Sequence, residues 1–110
     1  LAGFSFGSWV ALRAARQLPV QQMIAIAPPA GFRDFTGVPP PTCPWLVVQG
    51  EQDDVVDPQQ VFDWVAAAEN PPTLVRMADA GHFFHGRLVD LRGAIRNGVR
   101  KNLPPLQHQA

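Results

Sequence analysis

Three short apolar runs, Met23-Ile24-Ala25-Ile26-Ala27, Trp45-Leu46-Val47-Val48-Gln49-Gly50 and Thr73-Leu74-Val75-Arg76-Met77, are separated by stretches whose apolar residues recur at helical spacing. No other feature constrains the fold as tightly. Runs of this length, partly β-branched and bounded by proline or glycine, predict strands, and the first two lack the polar alternation of a strand with one wet face. They are expected to be covered on both sides. Strands that alternate with helices pair in parallel through right-handed crossovers, so the predicted class is α/β.

The intervening segments supply the helices. Gly7 to Leu18 sets Val10, Ala11, Ala14, Ala15 and Leu18 on one face opposite Arg13, Arg16 and Gln17, and Pro19 removes the donor needed to continue. Asp57-Pro58 followed by Gln60 reads as an N-cap, a proline at the first helical position and a capping-box glutamine. The helix it opens runs through Val61, Phe62, Val65 and Ala68 towards Asn70-Pro71-Pro72. A last helix carries Leu88, Leu91, Ile95 and Val99 in one stripe, with Gly93 and Gly98 each expected to weaken it by about 1 kcal/mol relative to alanine. The proline-rich connection from Pro28 to Pro44 predicts irregular structure.

Composition excludes several functions. The chain has 110 residues, enough for one small domain, and 46% of them are hydrophobic. Nine basic and nine acidic side chains cancel, leaving no field of one sign to gather nucleic acid or anionic lipid. Cys43 is the only cysteine, so no internal disulfide framework is expected, and a cytoplasmic setting is the default expectation. No apolar run approaches the roughly 18 residues that cross a bilayer. Neither a metal-type Cys/His cluster nor a phosphate-cradling glycine loop is visible, so no metal is expected.

In parallel sheets, ligands meet the carboxyl ends of the strands. The residues there are chemically loaded: Ser5 within Gly3-Phe4-Ser5-Phe6-Gly7, Asp53 and Asp54 after the second run, and His82 and His85 after the third. Hydroxyl, carboxylate and imidazole are the set that covalent hydrolysis requires. A serine is a weak nucleophile, a histidine must take its proton, and a carboxylate must fix the imidazole tautomer. Taken singly, each residue has a plainer role: Ser5 as a turn residue, Asp57 as a helix cap, His85 as a structural hydrogen-bonding group. Arg92, Arg96 and Arg100 read as a solvated helix edge, and Trp9, Phe32, Phe35, Phe83 and Phe84 as core or pocket wall.

GFSFG ahead of a helix, LVVQGEQD, and AGHFFHG, in that order, resemble the nucleophile elbow, the acid loop and the histidine loop of the α/β-hydrolase superfamily. The resemblance spans nearly the whole chain and is similar to the C-terminal half of that fold, in small bacterial members related to the dienelactone-hydrolase and serine-aminopeptidase-like groups. It implies a Ser5, Asp53, His82 triad, with Asp54 and His85 as the next candidates, and the Phe6 backbone N–H as one oxyanion donor. Dienelactone hydrolases proper usually carry cysteine where Ser5 stands.

The implied activity is cleavage of an ester, thioester or amide through an acyl-serine, on a small-molecule acyl substrate and without a cofactor. A non-catalytic binding protein of the same fold, or an acyltransferase using the same triad, are the alternatives. Phe32, Phe35 and Phe83 are the expected substrate-lining residues, and the short connection from Pro28 to Pro44 implies an open site without a large cap. The resemblance also implies that the strand leading into the elbow, the strands before it and the second oxyanion donor precede Leu1. On that expectation the Met23–Ala27 strand is an unpaired edge, and the 110 residues alone are poorly soluble and nearly inactive.

Overall fold

A computed structural model describes residues 1–32 and 39–101. Four strands, β1 (Ala2–Phe4), β2 (Met23–Ile26), β3 (Trp45–Gly50) and β4 (Thr73–Met77), form one sheet in sequential order, with every pairing parallel. Helix α1 (Phe6–Ala14) connects β1 to β2, α2 (Pro58–Ala66) lies between β3 and β4, and α3 (Leu88–Lys101) follows β4. The α/β class and the parallel pairing are as the sequence predicts.

One expectation is corrected at the start of the chain. Residues 2–4 are themselves a strand, in register with β2 through Ala2 opposite Ile24 and Phe4 opposite Ile26. The Met23–Ile26 strand is therefore paired on both sides, with β1 and with β3. Three residues carry too little periodicity to be read as a strand in advance, but their pairing with β2 fixes them.

The sheet's two faces hold separate cores. Met23, Ala25, Trp45 and Val47 point one way, against Ala11 and Leu12 of α1 and Val61 and Val65 of α2. Leu46 and Val48 point the other way, with Ala27, Ala80 and Phe84, and Leu91 and Ile95 of α3 pack on them. Every residue of β3 is buried, as expected for a strand covered on both sides. In β2 the residues facing α1 and α2 are buried while Ile24 and Ile26 are only partly so.

The face of α1 differs from its predicted one. Ser8, Ala11 and Leu12 are buried, whereas Val10 is more than half exposed, and the helix ends at Ala14, short of the predicted Leu18. An alanine-rich helix has several nearly equivalent apolar stripes, and Leu12 fills the sheet groove better than Val10. Asp57 caps α2 as expected, its carboxylate accepting from the Gln59 N–H at 3.0 Å. That helix ends at Ala66, before Asn70, and Ala68 still packs on the core.

In α3, Leu88 is exposed while Leu91 and Ile95 pack inward. The two glycines of this helix are not equivalent. A Cβ on Gly98 would lie 2.8 Å from Leu46 Cδ2, so this glycine lets the helix approach the buried centre of β3. A Cβ on Gly93 would have no atom within 4 Å among the described residues. Gly93→Ala is therefore expected to raise stability by about 1 kcal/mol, the full helix-propensity gain. Gly98→Ala forfeits a similar gain by pushing Leu46 within a closed core, where overpacking costs about 1–3 kcal/mol. Thermal unfolding of the two variants should move in opposite directions.

Candidate active site

Ser5 follows β1 directly and has φ 53° and ψ −125°, a positive φ that non-glycine residues seldom adopt. Its amide donates to the Ile26 carbonyl at 2.7 Å, extending the β1–β2 pairing by one bond, and its carbonyl accepts the Ser8 N–H at 2.9 Å. The Ser8 hydroxyl binds the same carbonyl at 2.5 Å, so the turn is held from both sides. Ser5 occupies the N-cap position of α1 and yet makes no side-chain cap hydrogen bond. Its hydroxyl is thus not engaged in the role that would explain an ordinary turn serine.

The flanking glycines are unequal. A side chain on Gly3 would run into the Gly7 carbonyl, which fits the close turn expected there, while one on Gly7 would meet nothing within 4 Å among the described residues. Phe6 opens α1, and its N–H is one of the helix amides with no intrahelical acceptor.

Asp53 and His82 are brought together. The His82 Nδ1 lies 2.8 Å from Asp53 Oδ2, and both side chains are buried, at 4% and 0% exposure. The other carboxylate oxygen, Oδ1, accepts the amides of Val55 at 2.8 Å and Val56 at 2.7 Å. Gln49 Nε2 donates to Oδ2 at 3.1 Å. Asp54 is exposed, Asp57 caps α2, and His85 is exposed, so none of these enters the pair.

The two loops that carry Asp53 and His82 are joined through the backbone. Glu51 N–H donates to the Met77 carbonyl at 2.9 Å and Gln52 N–H to the Ala80 carbonyl at 3.0 Å. Gly50 permits this crossing, because a side chain there would collide with the Ala80 carbonyl. From Ala80 the chain turns back over the sheet towards β1. Phe84, at φ 55° and 1% exposure, is driven into the core beside Ala27. This lays the His82 ring 5.2 Å from that of Phe4, the residue before Ser5, with the Phe83 ring 4.9 Å from the same imidazole and 5.9 Å from the Phe4 ring.

Ser5, Ala27 and Phe84 are the non-glycine residues with positive φ among those described, and all three lie at this end of the sheet. Such conformations cost about 1–3 kcal/mol each and persist where the surroundings over-determine them. The sequence signals only the first.

Burial pushes the Asp53 carboxyl up, but the Val56 amide, His82, the Val55 amide and Gln49 together outweigh it and hold the group below the ordinary carboxylate range. A carboxylate whose folded value is depressed contributes stability that is present above its unfolded value, near 3.9, and is lost as pH falls through the folded one. Acid titration below about pH 4 is therefore expected to destabilise the protein in a step that Asp53→Asn removes, read as Tm against pH.

Of the expected lining residues, Phe32 is exposed and borders a cavity of about 170 Å³ with Pro29, Val55 and Val56. Phe83 is 69% exposed, and Phe35 lies outside the described residues. Among the described residues no group of His, Cys, Asp and Glu could hold a metal ion, and no helix is long and apolar enough to cross a membrane. Gln49 is the site residue that sequence reasoning misses. A polar side chain near the end of an otherwise apolar, fully buried strand is the signal that could have found it.

No family model matches the chain. Among solved structures it is similar to an α/β serine hydrolase without a lid from Xanthomonas campestris, 59% identical with a TM-score of 0.87, covering 96% of this chain and 48% of that one. An α/β serine hydrolase homologue from Coxiella burnetii is 44% identical with a TM-score of 0.82, covering 88% of this chain and 47% of that one. An uncharacterised protein from Rickettsia prowazekii is 28% identical over an alignment of 106 positions that covers 88% of this chain and 44% of that protein. The chain spans about half the length of each of these relatives.

Proposed function

Because the chain belongs to the α/β-hydrolase superfamily and corresponds to about half the length of its solved relatives, we propose that the whole protein is a serine hydrolase. It cleaves an acyl bond by a triad of Ser5, His82 and Asp53. The observation that carries this reading is the buried Asp53–His82 hydrogen bond at the end of the sheet where Ser5 stands in a strained turn.

An ionised Asp53 can only accept, so the proton of a neutral His82 sits on Nδ1 and leaves Nε2 as the base. His82 Nε2 takes the hydroxyl proton as Ser5 Oγ attacks the carbonyl carbon. The Phe6 N–H, at the positive end of α1, stabilises the oxyanion. The tetrahedral intermediate expels the alcohol, thiol or amine with the proton His82 returns to it. Water activated by the same imidazole then releases the acid and regenerates Ser5.

The cavity beside Phe32 is lined by Pro29, Val55 and Val56 together with Asp57 and Gln60, which suits a substrate group with both apolar and polar parts, and the lidless Xanthomonas relative supports an open approach to it. Ester cleavage is the expected chemistry. Treating the full-length folded protein with a fluorophosphonate probe and mapping the modified peptide tests the reading: the label is expected on Ser5, and a folded protein without label there refutes it.

A further inference from the structure

We propose that Gln49 is a positioning residue for the Asp53–His82 pair, its side-chain amide holding Asp53 Oδ2 in the orientation that receives the imidazole. The inference rests on the triad reading above but concerns a residue that touches neither substrate nor nucleophile.

Gln49 is the penultimate residue of β3 and is fully buried, in a strand whose other side chains are apolar. Its Nε2 has two acceptors, the Gly50 carbonyl at 3.0 Å and Asp53 Oδ2 at 3.1 Å. Two acceptors on one side leave a single allowed direction for the amide, since reversing it would set Oε1 against both oxygens. Oε1, turned away from them, has no hydrogen-bond partner among the described residues. The amide is therefore oriented by the carboxylate and by the turn that leads to it.

A carboxylate offers about four lone-pair positions. Here Val55 and Val56 fill those of Oδ1, and His82 and Gln49 fill those of Oδ2. The backbone amides are fixed by the loop, so they anchor Oδ1 but leave Oδ2 able to swing in and out of the plane of the imidazole. Gln49 closes that freedom from the strand side. Because Gly50 holds the same Nε2, the orientation of Asp53 is referred directly to the end of β3. The Gln49 bond also helps keep Asp53 ionised, which maintains it as an acceptor for the Nδ1 proton.

The test uses the full-length protein with Gln49→Met, which keeps the length of the side chain and removes the donor, and Gln49→Leu as a second donorless variant. Gln49→His, with a ring N–H, serves as the rescue. Expected for both donorless variants are a kcat lower by about tenfold to a hundredfold, an unchanged KM and a Tm near the parent's. The Nδ1 proton resonance of His82 should shift or broaden, and Gln49→His should recover most of the rate.

The idea is overturned if the donorless variants keep kcat, if they lose rate and Tm together with the His82 resonance unmoved, or if the histidine variant behaves like them. Should one donorless variant fail to fold, the other two decide. The resonance reports on the pair even if Ser5 proves unreactive, so failure of the hydrolase reading and failure of this one are distinguishable.

Discussion

Ser5→Ala in the full-length protein is expected to abolish fluorophosphonate labelling and to lower kcat/KM by about 10⁴-fold or more, with Tm essentially unchanged. The size follows from removing the nucleophile from a unit whose members act together, where any residual rate comes from binding and oxyanion stabilisation alone. The unchanged stability follows from the structure. The Ser5 hydroxyl makes no cap bond to α1, and the bonds that hold the turn use its backbone N–H and C=O, which alanine keeps. Alanine at φ 53° is no more strained than serine. A variant that loses activity and several degrees of Tm together would mean that Ser5 holds the turn rather than reacts.

Asp53→Asn is the second large effect, a fall of about 10⁴-fold in kcat with KM little changed. Its cause is a mismatch of donors. The amides of Val55 and Val56 require an acceptor, so the asparagine oxygen takes the place of Oδ1. The asparagine NH₂ then faces His82 Nδ1 and Gln49 Nε2, both donors in the parent. His82 must move its proton to Nε2, where it can no longer act as a base. Gln49 cannot rescue the contact by reversing, because its oxygen would then oppose the Gly50 carbonyl. A kcat within tenfold of the parent would remove Asp53 from the mechanism.

Much of this architecture is legible in the sequence for identifiable reasons. β2 and β3 carry short, partly β-branched apolar runs bounded by proline or glycine, and Asp57-Pro58 announces the start of α2 because a cap and an N1 proline are local chemistry. What fails depends on long-range contact. β1 is three residues long and becomes a strand only by pairing with β2. The buried face of α1 is chosen by the sheet beneath it, and Gly98 is explained by Leu46 rather than by its own helix.

The site divides in the same way. Strand ends and residue types point to Ser5, Asp53 and His82, and the structure joins the last two at 2.8 Å. The resemblance already favours His82 over His85, and the path of the loop, with Phe84 entering the core at positive φ, accounts for His82 rather than His85 meeting Asp53. Phe83 and Phe84 look alike in sequence, yet one is 69% exposed and the other 1%. Gln49 is hidden for a different reason: at the end of a strand it reads as the first residue of a loop, and its burial beside a carboxylate is visible only in three dimensions.

The crossing of the acid and histidine loops has a mechanical meaning. With Gln52 bonded to the Ala80 carbonyl and Gly50 lying against it, the loops that carry Asp53 and His82 are tied to each other beyond the ends of β3 and β4. Ser5 is mounted separately, directly after β1, which pairs with β2. On the triad reading proposed above, a shift of β2 against β3 would change the Ser5–His82 separation before it changed the Asp53–His82 one.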